Sequence, residues 1–170
     1  MSAALTRVFL SLGSNIEPER NLPAAVESLA RQTRLLAAST VYETEPVGAP
    51  GTPWFWNAAL LLATPLEALA LKFEVLRPLE AALGRVREAN RSAPRPIDLD
   101  ITLFGAQVIE LPGLTVPDPG LLSLAYVAVP AAELDPAFPH PITGEPLGEI
   151  AARLAPRAQL IRRSERLILP

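Results

Sequence analysis

Residues 95–105 read RPIDLDITLFG, and the alternation inside this stretch decides the fold. In a strand, residues two apart share a face. Ile97, Leu99, Ile101 and Leu103 should therefore point one way, and Asp98, Asp100 and Thr102 the other. The odd-numbered side supplies core, while the even side sets two carboxylates about 6.5–7 Å apart at Cα. Carboxylates so placed repel each other, which leaves two readings open. One is an exposed strand face that happens to be acidic. The other is a pair of oxygen ligands for Mg²⁺, which takes few protein ligands and completes its shell with water and phosphate. Arg85, Arg87, Arg91 and Arg95 lie just upstream. Arginine suits forked phosphate recognition, so acids and cations together suit a metal–polyphosphate complex.

Working outward, residues 7–12 alternate as a strand, and Gly13-Ser14-Asn15 breaks it as a strand-to-helix turn. This turn is not a P-loop, because no G-K-[ST] follows. A helix is expected over 19–33, with a stripe of Leu22, Val26, Leu29 and Ala30, and with Pro23 tolerable only in the first turn. Residues 35–44 read as one strand, 44–54 as a loop rich in Pro and Gly, and 55–63 as a central strand. A helix over 66–83 should end at Gly84 and kink at Pro78. Residues 84–95 are polar, 97–104 form the next strand, and 108–116 form a hairpin around Pro112-Gly113. The Pro-rich region 117–145 has a short strand at 125–129, a last helix covers 146–155, and a basic tail follows. The order β-α-β-β-α-β predicts an α+β, ferredoxin-like antiparallel sheet with helices on one face, plus the added hairpin and C-terminal helix.

Composition narrows the class. The 170 residues, 49 % hydrophobic and 19 % charged, suit one globular domain over 1–170, its core within about 7–155. No run is long enough to span a bilayer, and the N-terminal residues lack the pattern of a secretory signal, so a cytoplasmic protein with no membrane partner is expected. The absence of cysteine excludes disulfides and thiolate chemistry. A net charge of −3 argues against nucleic acid as a partner. A monomer is the default. Lys72 is the one lysine among fifteen lysines and arginines. His140, between prolines, reads as structural, and Arg162, Arg163 and Arg166 as a solvated face.

The blocks SLGSN (11–15), YETEPVG (42–48), FWNAALLL (55–62), LGRVR (83–87) and above all RSAPRPIDLDI (91–101), taken together and in this order, resemble the 6-hydroxymethyl-7,8-dihydropterin pyrophosphokinases of folate biosynthesis. The resemblance implies a ferredoxin-like fold and transfer of the intact diphosphate of ATP to the hydroxymethyl group of the dihydropterin, releasing AMP. It implies that Asp98 and Asp100 hold two Mg²⁺ ions and that Arg85 and Arg95 contact the phosphates and assist transfer. By the same likeness Glu80, Arg87, Ile101 and Thr115 belong to the ATP side. Asn57, Thr44, Val47 and the aromatic pair Phe55 and Tyr126 belong to the pterin side. Taken alone, Phe55 and Tyr126 would be core, and Arg85 and Arg87 a solvated helix end.

The stretch VPDPGLLSLAY (116–126) departs from the family pattern. Asp118 stands where a histidine is usual and Leu124 where an arginine is usual, and both lost groups would contact ATP. The alternative reading is therefore a pterin- or nucleotide-binding homologue with weak or lost turnover. A third, a two-metal nucleotidyl transferase, gives YETEPVG and FWN no role.

Overall fold

The computed structural model describes residues 4–90 and 92–170. Arg91, one of the four arginines of the upstream cluster, lies outside the described residues. The chain runs β1 (Thr6–Ser14), α1 (Pro18–Ala30), β2 (Arg34–Ala38), β3 (Thr40–Thr44) and β4 (Phe55–Thr64). There follow α2 (Ala68–Ala70), a π-helical segment (Leu71–Leu76), α3 (Arg77–Ala82), β5 (Asp98–Phe104), β6 (Ile109–Leu111) and β7 (Leu114–Val116). A 3₁₀ turn (Pro119–Leu122), α4 (Ala125–Leu134), α5 (Leu147–Leu154) and β8 (Ile161–Arg166) complete it. The main sheet has the order β5-β1-β4-β3-β8, and β2 also pairs with β4; every pairing is antiparallel. Among the described residues, no helix is long and apolar enough to cross a membrane.

The period-2 pattern divides the sheet between two cores. Val8, Leu10 and Leu12 of β1 and Ala58, Leu60 and Leu62 of β4 pack against α1 and the α2–α3 helix. This is the expected layer of helices on one face. Phe9 and Leu61 point to the opposite face, where they meet α4 and α5. A helix at α4 corrects the strand expected at 125–129. The segment AYVAVPAAEL is apolar all round and carries Pro130, so its periodicity does not announce a helix.

Other departures have local causes. The expected single strand 35–44 divides at Ser39, whose Oγ accepts a hydrogen bond from Ala59 N (2.8 Å) while its N–H donates to Ala59 O (2.9 Å). Pro23 sits inside α1, beyond the first turn. The N–H it lacks would have bonded the carbonyl of exposed Glu19, which water can serve. Pro78 does not end its helix. The wider π turns precede it, and the helix runs on through Leu76 and Arg77 into α3, so the N–H that Pro78 lacks falls where the hydrogen-bond spacing changes. The tail is solvated at Arg162 and Arg166, as expected, but it is also paired with the sheet. Ile161–Arg166 adds β8 to β3, and Arg163 lies 4.5 Å over the Trp56 ring and pairs with Glu43 at 2.8 Å. His140 is structural as expected: it is buried, and its Nδ1 accepts from Ile142 N and Thr143 N.

Strict alternation also fails once in β5. Phe9 pairs with Leu103 but Leu10 with Ile101, so Thr102 is a bulge residue. Leu99, Ile101 and Phe104 face the first core, and Leu103 enters the second.

Candidate active site

Antiparallel pairing assembles the site from three strands. Gly13 of β1 lies between Asp98 of β5 and Asn57 of β4, and Ser11 lies beside Asp100. All point to the face that carries α4 and α5 at one end of the sheet and is open at the other. A Cβ at Gly13 would crowd Asn57 Oδ1 at 3.3 Å. The open end forms a cleft of about 330 Å³ whose lining includes Thr44, Val47, Phe55, Asn57 and Tyr126. A second cleft of about 480 Å³ is lined by Arg77, Arg85, Arg87 and Arg95 among others. Asp98, Asp100 and Arg95 line both, so the clefts meet at the carboxylates.

The cations are held by a buried acid. Helix α3 ends in a Schellman-type cap in which Gly84 (φ 91°) donates to Ala81 O and Arg85 N donates to Glu80 O, turning the chain so that Arg85 folds back over the helix end. Glu80 is 2 % exposed. Its Oε1 accepts from Arg85 (2.8 Å) and from Leu99 N (2.8 Å), and its Oε2 accepts from Arg87 (2.7 Å). Arg85 also donates to Ile97 O (3.1 Å) and bonds Asp98, whose other oxygen lies 3.2 Å from Arg95. Burial works against the Arg85 charge, but the bond to Asp98 and the surrounding acids hold its guanidinium above the usual value. Arg85 is therefore not a solvated helix end, while Arg87 is exposed yet tied to Glu80.

Asp100 has no guanidinium partner among the described residues. Its nearest cation is Lys72 Nζ, 4.0 Å from Oδ1. The side chain keeps 46 % of its surface open to the clefts. Even so, burial first, and then the charge of Asp98, push its carboxyl up to about 6. Asp118 also lines the first cleft and is likewise raised, mainly by burial. Its Oδ1 accepts from Gly120 N at 2.7 Å, so it caps the 3₁₀ turn. Three carboxylates thus gather at the inner end, two of them, Asp100 and Asp118, without a guanidinium partner among the described residues.

The other end of the first cleft is aromatic. The Arg95 guanidinium stands 5.2 Å over the Phe55 ring. Tyr126 comes from the first turn of α4, not from a strand, and burial raises its phenol. Asn57 Nδ2 donates to Thr44 Oγ1 at 2.7 Å, so the amide is oriented by its neighbour on β3. Val47 projects from the 45–54 loop and is 70 % exposed.

Most residues singled out in the sequence therefore converge. Ile101 and Thr115 do not line either cleft; Ile101 is buried in the first core and Thr115 is exposed on β7. Glu80 serves the arginines instead of facing a cleft. Three residues escaped the sequence reading. Lys72 carried a signal in being the one lysine. Arg77 lines the second cleft, where burial and then Arg87 lower its guanidinium. Asn15 passed as a turn residue, yet it bonds both bordering loops.

Comparison with known proteins adds a match in sequence and in fold. Residues 9–136 match the family model of 7,8-dihydro-6-hydroxymethylpterin-pyrophosphokinase (HPPK). The 2-amino-4-hydroxy-6-hydroxymethyldihydropteridine pyrophosphokinase of Pseudomonas aeruginosa is 40 % identical over 151 residues, covering 87 % of this chain and 91 % of that protein. That of Methylorubrum extorquens is 42 % identical over 156 residues, covering 89 % and 96 %. The crystal structure of wild-type Plasmodium falciparum HPPK-DHPS with pteroate matches 92 % of this chain with a TM-score of 0.75 and 12 % identity. This chain spans 44 % of that one, and the likeness bears on the fold alone.

Proposed function

Since the chain belongs to the 7,8-dihydro-6-hydroxymethylpterin-pyrophosphokinase family, we propose that it transfers the diphosphate of ATP to 6-hydroxymethyl-7,8-dihydropterin in a Mg²⁺-dependent reaction of cytoplasmic folate synthesis. The carrying observation is that an aromatic, amide-lined cleft and an arginine-lined cleft share Asp98, Asp100 and Arg95. The pterin ring lies between Phe55 and Tyr126, its polar edge on Asn57, with Thr44 and Val47 at the loop side. Asn57 spends one amide hydrogen on Thr44 and keeps Oδ1 and the second hydrogen for the ring. The triphosphate of ATP lies among Arg77, Arg85, Arg87 and Arg95.

The residues present fit Mg²⁺. Asp98 and Asp100 offer hard oxygens on one face, and among the described residues no group of three or more His, Cys, Asp or Glu side chains surrounds a common metal position. Two carboxylates would hold the ions, and water and phosphate would complete each shell. Bound there, Mg²⁺ supplies charge neutralisation to the phosphates. The hydroxymethyl oxygen attacks the β-phosphorus, the bond to the oxygen bridging the α- and β-phosphorus breaks, and AMP leaves. The substrate proton passes to solvent; no side chain is assigned as base. Arg85 and Arg95 orient the diphosphate and offset the charge that develops on it.

Formation of AMP that requires both Mg²⁺ and the hydroxymethyl-dihydropterin is the test. Release of pyrophosphate in its place would refute the reading. Asp118 and Leu124, both lining the first cleft, favour a second reading as a binding homologue with weak turnover. Binding of both substrates without AMP would select it.

A further inference from the structure

Lys72 is the one lysine of the chain, and the reading of function above leaves it without a role. It stands on the π-helical segment Leu71–Leu76, where Arg77 N donates to Lys72 O in the wide bond of a π turn. Such turns occur frequently at functional sites. Leu71, Val75 and Leu76 are buried in the first core, so the element that carries Lys72 is fixed. The Lys72 side chain is 13 % exposed. Burying an ammonium is costly unless a counter-charge meets it. The nearest is Asp100 Oδ1 at 4.0 Å, too long for a hydrogen bond.

Two carboxylates share this cation. Asp100 lines both clefts, and Asp118 lines the first. Burial pushes both carboxyls upward, and the Lys72 charge opposes that push at each of them. The guanidinium groups nearby go elsewhere: Arg85 and Arg95 both pair with Asp98. Lys72 is therefore the counter-charge for the two acids that the arginines leave alone.

We propose that Lys72 is a positioning residue, a tethered counter-cation for Asp100 and Asp118 that weakens binding of bare divalent metal and strengthens binding of the metal–nucleotide complex. This rests on reading the arginine-lined cleft as the nucleotide site. The two effects differ in sign because the ligands differ in charge. An ammonium beside the carboxylates repels a free divalent cation. It attracts a metal–triphosphate complex, whose net charge is negative, and it offsets the repulsion between Asp118 and the phosphates.

The test compares wild type, Lys72→Met, Lys72→Arg and Asp118→Asn, and the double variant Lys72→Met with Asp118→Asn. Mn²⁺ alone is titrated by the electron paramagnetic resonance signal of the unbound ion, and α,β-methylene-ATP with saturating Mg²⁺ by calorimetry. Lys72→Met should bind bare Mn²⁺ about tenfold more tightly and the nucleotide analogue about tenfold more weakly, the scale of a unit charge acting on a divalent ion a few ångströms away at the dielectric of water. Lys72→Arg keeps the charge and should track wild type in both, which guards against a packing defect in the methionine variant. Asp118→Asn keeps the acceptor for Gly120 N and should improve analogue binding more in the Lys72→Met background than in wild type. A purely structural role would weaken both ligands together and lower the melting temperature. Affinities that move in the same direction, unchanged Mn²⁺ binding, or no measurable Mn²⁺ binding in either protein overturns the proposal. An equal gain from Asp118→Asn in both backgrounds removes Asp118 from it. Wild type that binds no analogue and forms no AMP overturns the functional reading instead, so the two failures are distinguishable.

Discussion

Replacing Glu80 by Gln changes one atom and should cost more than most surface mutations together. The carboxylate accepts from Arg85, Arg87 and Leu99 N within 2.8 Å while 2 % exposed. Glutamine has one acceptor oxygen, so its amide nitrogen must face either Arg87 or the shared position of Arg85 and Leu99 N. Arg87 is half exposed and water can compensate it; Arg85 is 10 % exposed and cannot recover its lost counter-charge. Breaking a buried pair from one side costs about 3–5 kcal/mol, and because Arg85 keeps Asp98 the lower end, about 3, applies. For a chain of this length each kcal/mol moves the melting temperature by about 2–4 °C, giving a drop of about 6–12 °C. The drop should persist at high salt, because the pair is shielded from it. AMP formation should fall by about tenfold or more as Arg85 loses an anchor. Melting by circular dichroism and a turnover assay on the same sample decide the matter. A variant that melts within about 2 °C of wild type would refute the claim that Glu80 holds the arginines.

Three further outcomes are expected. The Asp100 carboxyl is raised to about 6, so between 3.8 and about 6 the folded chain retains a proton that the unfolded chain has lost. Ligand-free protein should therefore lose stability as pH rises through that window and then level off. Asp100→Asn should melt above wild type at neutral pH and match it below the window, as melting curves across pH will show. Asp118→Asn keeps the acceptor for Gly120 N and removes one negative charge beside the clefts, so the KM for ATP should fall a few-fold in steady-state kinetics. Thr44→Val leaves Asn57 Nδ2 without its acceptor, a loss of about 1–3 kcal/mol; kinetics should show the KM for the pterin rising about tenfold or more with kcat changed less.

The sheet was legible because its signal is local. Alternation in β1 and β5, and the apolar run of β4, follow from side chains that must face a core. Asp98 and Asp100 stood out because charge at those positions contradicts the pattern around it. What escaped depends on contacts distant in the chain. Ile161–Arg166 is polar on both sides and becomes a strand only by adding to the β3 edge. Glu80 looks like any helical glutamate until the Gly84 turn brings Arg85 and Arg87 back to it. Lys72 reaches Asp100 from the π-helical segment, whose backbone no spacing rule announces. The segment 125–134 is apolar on every side, which fits either a strand or a buried helix until α5 and the second sheet face are known.

The single irregular residue in β5 separates two duties that a regular strand would entangle. Thr102 is skipped in the ladder with β1; its hydroxyl donates to Phe9 O at 2.9 Å and its carbonyl accepts from Asp118 N at 2.9 Å. Ahead of it the sheet surface is left clear for Asp98 and Asp100, and behind it Leu103 is driven into the hydrophobic layer under α4. Chemistry and anchorage thus occupy successive halves of one seven-residue segment. Selection can revise the reactive half without loosening the fold, and the freed carbonyl moors the 116–124 segment.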